Sequence, residues 1–169
     1  MIRPIVKYGD PGLARPAERV DRIDDETRRL IDDMIATMYA APGIGLAAPQ
    51  IGVPLRISVI DLSVGQRGAE VITLINPEFV LREGMQVEDE GCLSVPGFTA
   101  SVGRPARAVV RALDRHGHEK EIEGTGLLAR ALQHEIDHLD GTLFLDRLRG
   151  IKRDLIVRKI RKLERAGRW

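Results

Sequence analysis

The sequence predicts an α+β fold in which antiparallel β-sheets pack around a central helix, with a second helix ahead of the strands and a third near the C-terminus. Three observations predict it. Helical periodicity is confined to three segments, strand-like runs are contiguous between Leu55 and Glu123, and those runs are joined by hairpin-length links with no βαβα alternation. A length of 169 residues at 43% hydrophobic content suits one domain over 1–169 with one core.

Asp24 and Asp25 are helix-capping residues, and behind them Leu30, Ile31, Met34, Ile35 and Met38 recur at three- and four-residue spacing, which predicts a helix over Asp25 to Ala40. Pro42 and Gly43 end it, and Gly43 to Gln50 is too rich in glycine and proline for anything but a loop or edge strand. Short runs rich in Val, Ile and Leu then predict strands at Leu55–Leu62, Val71–Ile75, Met85–Asp89 and Ala106–Leu113. Asp114 to Gly117 predicts a tight turn into a strand at His118–Glu123. Thr125 can cap a helix over Leu127–Asp140, whose buried stripe is Leu128, Leu132, Ile136 and Leu139 and whose stop is Gly141. A last helix is predicted from Gly150 to Arg165 with Leu155, Ile156, Ile160 and Leu163 inward.

Composition narrows the functional classes. The 26 basic and 25 acidic residues leave a net charge of +1, so the surface as a whole has no electrostatic bias toward DNA or an anionic membrane. Aromatic residues, at 4%, are too few for base-stacking platforms. The chain has neither a signal-like apolar run near Met1 nor a stretch of bilayer length, and a soluble, cytoplasmic protein is expected. Cys92 is the only cysteine, which rules out a disulfide within the chain.

The chemistry-bearing segment is His134-Glu135-Ile136-Asp137-His138, an HExxH sequence inside a predicted helix. Residues four apart lie about 40° from one another around a helix axis, so both imidazoles leave one face and can grip one metal ion. Glu135 can then reach a water on that ion without being a ligand. A catalytic site of this kind takes three protein ligands and keeps one position open. In HExxHxxGxxH sequences a third histidine completes the set, but here Phe144 stands at that place, and the downstream acid used by other HExxH proteins could only be Glu164, in a strongly basic helix. Cys92, in the loop-forming run Glu90-Gly91-Cys92-Leu93-Ser94-Val95-Pro96-Gly97, is the remaining candidate. His116 and His118 flank the predicted turn and are expected to be exposed. The run Gly43-Ile44-Gly45 can let another backbone approach closely, as in strand addition by an extended peptide.

GIGLAAPQ at Gly43–Gln50, EGCLSVPG at Glu90–Gly97 and QHEIDHLDG at Gln133–Gly141, in that order, resemble the joint signature of the peptide deformylases, and the likeness runs from Pro4-Ile5 through the basic C-terminal helix. The resemblance implies a hydrolase that removes the formyl group from the N-terminal methionine of nascent proteins. It implies Cys92, His134 and His138 as metal ligands, Glu135 as the carboxylate that moves protons, and the Gln50 side-chain amide and Leu93 N–H as donors to the oxyanion. Gly43, Ile44 and Gly45, with Gly91 opposite, match the groups that pair with the substrate backbone. Leu127, Arg130 and Ala131 match the methionine pocket, where an arginine departs from the apolar residue often found; its expected solution is to lay its stem over the pocket and keep its charge in water.

A thiolate in the ligand set favours a soft or borderline ion, and the resemblance implies Fe(II), with Zn(II) or Ni(II) as substitutes. The stretch Ile151 to Trp169 carries eight Lys or Arg residues against Asp154 and Glu164. Solvated helix face is the ordinary meaning, and the resemblance adds a ribosome contact. Two rivals remain open on the sequence alone: an HExxH zinc endopeptidase, and a metal-stabilised binding module without catalysis.

Overall fold

The computed structural model describes residues 1–67 and 70–169. Helix α1 spans Asp25–Ala40, as the periodicity predicts, and opens on a capping box in which the Asp24 side chain accepts from the Thr27 N–H at 3.0 Å. Among the described residues seven strands follow: β1 Gly45–Ala47, β2 Ile57–Ile60, β3 Ile72–Glu83, β4 Gln86–Gly91, β5 Thr99–Arg104, β6 Arg107–Leu113 and β7 Glu119–Thr125. Helix α2, Gly126–Leu139, and helix α3, Ile151–Arg165, complete the chain's longer elements. The strands form a five-stranded antiparallel sheet in the order β1-β2-β3-β6-β7 and a separate β4-β5 ribbon. No helix among the described residues is long and apolar enough to cross a membrane.

The two faces of the sheet are covered by different helices. Ile57 and Val59 of β2 and Ile75 of β3 pack with Leu30, Ile31, Met34 and Met38 of α1, whereas Ile60, Leu74, Val110 and Ala112 pack with Ala131, Leu132 and Ile136 of α2. Period-2 alternation thus sends neighbouring residues of one strand into two clusters, which is why all four residues of β2 are buried. Gly141 ends α2 with a φ of +77°, and a Cβ there would come within 2.9 Å of the Ala14 backbone, so only glycine lets the N-terminal segment cross.

Four expectations are corrected. Strand β5 was not foreseen. Strand β3 runs on to Glu83, well past Ile75, because its distal half pairs with β6 across two register shifts. Thr125 sits at the N-cap of α2 but its side chain makes no capping hydrogen bond. On α3 the inward residues are Val157 and Ile160, with Ile156 and Leu163 half-buried, while Leu155 is 45% exposed. The apolar stripe of α3 is wide enough to be turned either way, and packing of Ile160 on Val95, Val102, Phe144 and Leu145 selects the orientation. Beyond α3, the Trp169 indole N–H donates to the Tyr8 carbonyl at 2.9 Å and its ring lies 6.0 Å from that of Phe98.

Candidate active site

A cavity of about 670 Å³ opens between β1, the turn joining β4 to β5, and α2. Gly43, Ile44, Gly45 and Gln50 form one wall and Gly91, Cys92 and Leu93 the opposite one. Helix α2 contributes Leu127, Arg130, Ala131, His134 and Glu135, and His138 lies buried beneath. All the residues singled out in the sequence therefore meet at one place, apart from His116 and His118, which are exposed at the hairpin turn as expected.

Each wall is built by local chemistry. Gln50 is the third residue of a 3-10 turn, Ala48–Ile51, and its Oε1 reaches back to accept the Ala47 N–H at 2.9 Å. This fixes the amide, and its Nε2 faces the Ser94 hydroxyl at 3.1 Å and the Cys92 sulfur at 3.6 Å. Leu93 follows Cys92 in a turn closed by Val95 N–H to the Cys92 carbonyl at 2.9 Å, a bond that leaves the Leu93 N–H outside the turn's own hydrogen bonding. The N-terminal segment straps the two walls together: Val6 N–H donates to the Gln50 carbonyl and Tyr8 N–H to the Ser94 carbonyl, both at 2.8 Å. Glycine leaves room where the walls close in. A Cβ on Gly43 would come within 2.7 Å of the Leu93 side chain, and one on Gly45 within 3.0 Å of the Glu135 carboxyl.

At the floor, the Cys92 sulfur lies 3.3 Å from His138 Nε2, which lies 3.2 Å from His134 Nε2. One donor atom from each of the three residues falls within 4.8 Å of the others. The sulfur and the two imidazole nitrogens thus converge on one shared point. Tetrahedral bonds of ~2.3 Å to sulfur and ~2.05 Å to nitrogen give donor separations of roughly 3.6 and 3.3 Å, so a first-row divalent ion fits the set. His134 Nδ1 meets Glu90 Oε2 at 2.7 Å, which turns Nε2 toward the shared point.

Glu135 is buried, with Oε1 4.0 Å from His134 Nε2 and Oε2 without a hydrogen-bond partner. Burial pushes its carboxyl up to about 7, against the opposing pull of His134, which suits a group that takes and returns a proton near neutrality. Glu90 goes the other way: burial would raise it, but hydrogen bonds from Arg104 and His134 hold it well below the usual carboxylate range.

Arg130 departs from expectation. It lines the cavity, but its guanidinium is not in water: the residue is 4% exposed and donates to Glu90 Oε1 at 2.8 Å and to the Val102 carbonyl at 2.9 Å. The arginine satisfies its charge inward because a carboxylate lies within reach. Sequence reasoning also missed Arg104, Asp137 and Ser94, which surround the site. A charged residue at the inward-facing fourth position of HEIDH was the one available signal for such a network.

An α+β fold holding an HExxH helix against a cysteine-bearing loop, with a buried glutamate whose Oε2 has no partner beside three converging donors, defines a metal-dependent hydrolase. Comparison with known proteins narrows the class. Residues 2–154 match the model of the polypeptide deformylase family. A peptide deformylase of Acidobacterium capsulatum is 56% identical over 169 residues, covering 100% of this chain and 99% of that one. The crystal structure of a peptide deformylase from Legionella pneumophila superposes with a TM-score of 0.92 at 48% identity, covering 99% of this chain and 98% of that one. That of the Ehrlichia chaffeensis peptide deformylase in complex with actinonin gives a TM-score of 0.88 at 42% identity over 97% and 98%. The chain belongs to the peptide deformylase family, metal-dependent enzymes that remove N-formyl groups from nascent peptides.

Proposed function

We propose that this chain deformylates N-formyl-methionyl peptides in the cytoplasm with one divalent ion held by Cys92, His134 and His138. The observation that carries the reading is the convergence of the sulfur and two Nε2 atoms beside a buried Glu135 whose Oε2 has no partner. When bound, the ion supplies Lewis acidity, lowering the pKa of water and polarising a carbonyl. Glu135 accepts a proton from the attacking water and returns it to the departing amine, leaving formate and a free amino terminus. Gln50 Nε2 and the Leu93 N–H donate to the oxygen on which negative charge develops.

Strand β1 is an outer strand of its sheet, so an extended peptide can pair along it. Two backbone groups there are already engaged, Gly43 N–H with the Met38 carbonyl and the Ile44 carbonyl with Asp61 N–H, both at 2.8 Å. Substrate pairing therefore falls to the Ile44 N–H and to Gly45, with Gly91 opposite. Leu127, Ala131 and the stem of Arg130 line the space for the methionine side chain. Iron(II) is the proposed native ion, with zinc or nickel as substitutes, because a thiolate with two imidazoles suits these ions over magnesium or calcium.

The test is formate release from formyl-Met peptides by protein reconstituted anaerobically with each ion in turn. Cleavage of unformylated peptides at internal bonds, with no formate released, would replace this reading by the endopeptidase one. A ribosome contact through α3 belongs to the same reading and is supported by a groove on that helix where Arg153, Arg158, Arg161 and Arg165 line the wall beside Asp154 and Val157. Because Val157 and Ile160 anchor α3 in the core, charge reversal at Arg158 and Arg161 is a cleaner test than truncation. Unchanged low-salt binding to ribosomes by that variant would remove the contact.

A further inference from the structure

Around His134 lies a cluster of buried charges that the reaction itself does not use. Glu90, Arg104, Arg130 and Asp137 are each at most 6% exposed. Arg104 grips Glu90 through Nε at 2.7 Å and Nη2 at 2.6 Å, and its Nη1 reaches Asp137 at 2.9 Å. Arg147 closes on Asp137 from the far side at 2.6 and 2.9 Å. A buried guanidinium at position 130 is costly to desolvate, and an aliphatic residue would close the methionine pocket as well.

The directions of these bonds separate the two arginines that hold Glu90. Arg104 comes from β5, the strand paired with Glu90's own strand β4, so it holds the carboxylate from the ribbon side and reaches α2 only near its end, through Asp137. Arg130 comes from α2 and stands four residues before His134, on the same face of that helix. Glu90 thus spans one turn of α2, with Oε1 on Arg130 at 2.8 Å and Oε2 on His134 Nδ1 at 2.7 Å. Arg104 holds both oxygens from the ribbon side, and Arg130 adds a direct tie from Oε1 to the helix one turn before His134.

We infer that Arg130 is a positioning residue that acts through Glu90 to lock the His134 ring in the orientation where Nε2 meets Cys92 and His138. Its second bond, to the Val102 carbonyl at 2.9 Å, carries the β4-β5 ribbon into the same clamp and so fixes the cysteine-bearing turn against the histidine helix. The pocket-lining role of its stem is secondary. This rests on the reading of His134 as a metal ligand.

The experiment uses metal-free full-length protein and cobalt(II) as probe, with affinity measured by chelator competition and the ligand environment by visible absorption. Arg130→Leu, which keeps an apolar stem at the pocket, should bind cobalt 10- to 100-fold more weakly, the range typical of lost outer partners of a metal ligand. Its absorption bands should shift as well. Glu90→Gln should weaken binding likewise, and adding Arg130→Leu to it should cost less than a further twofold, because the effect runs through Glu90. Arg130→Lys, which keeps the charge but cannot bridge Glu90 and Val102, should fall between; it carries the same readout should the leucine variant not fold. Wild-type cobalt affinity in Arg130→Leu or Arg130→Lys, or a raised KM with affinity intact, overturns the inference. No cobalt binding by the wild-type protein sinks the metal reading, and this inference with it.

Discussion

Replacing Gln50 removes two hydrogen bonds of different kinds, and two substitutions separate them. The Oε1 atom accepts the Ala47 N–H at 2.9 Å, a bond that holds the 3-10 turn, while Nε2 points into the cavity near Ser94 and Cys92. Gln50→Leu loses both. A buried N–H left without an acceptor costs about 1–3 kcal/mol of stability. For a chain of this size that lowers Tm by roughly 2–4 °C per kcal/mol. Loss of an oxyanion donor raises the barrier by about 3 kcal/mol, a fall of about 10²–10³ in kcat. Gln50→Glu, assayed at alkaline pH, keeps an acceptor for Ala47 and replaces the donor by an oxygen, so kcat should fall as far with a smaller change in Tm. Steady-state formate release on formyl-Met peptides, with thermal denaturation of the same samples, reads both quantities. If Gln50→Glu keeps kcat within tenfold of wild type, Gln50 is a turn-capping residue and its assignment to the developing oxyanion is wrong.

Glu135→Gln should lower kcat by about 10²–10⁴ at unchanged metal content, checked by metal analysis beside the formate assay. Gly45→Ala places a methyl group 3.0 Å from the Glu135 carboxyl, so it should depress kcat while metal content holds; a shift in KM alone would contradict it. Asp61 is buried and accepts hydrogen bonds from Ser63, Tyr39 and Gly65, which outweigh burial and bring its pKa below the ordinary 3.8. Its contribution is thus fully present above that value and lost as pH falls through the folded-state pKa, so denaturation midpoints of Asp61→Asn should decline less than wild type on acidification.

Legibility in the sequence followed how local each signal was. Helix α1 announces itself through Asp24 and an apolar stripe, and α2 through a stripe ended by Gly141. Strand β5 does not, because Thr99–Arg104 buries only Val102 and an arginine, and is held by pairing with β4. The same arginine explains the hidden part of the site: its partner Glu90 is fourteen residues away, and no periodicity connects them. HEIDH placed two donors on one helical face by geometry alone, whereas Cys92 entered by elimination and by family likeness. Arg130 was misjudged for a related reason, since a single sequence shows a charge but not the carboxylate waiting for it. On α3 the periodicity points Leu155 inward and passes over Val157, whereas packing of Ile160 on Val102 of the ribbon turns the helix so that Val157 is buried and Leu155 exposed.

The placement of Trp169 has a practical consequence. It is the chain's one tryptophan, and its ring touches the outer side of Phe98, whose inner side borders the cavity. Nature has thereby installed a fluorophore one side chain away from the cavity proposed to take the peptide. Any ligand that nudges Phe98 will alter the indole's surroundings, so intrinsic emission offers a label-free meter of occupancy for this molecule.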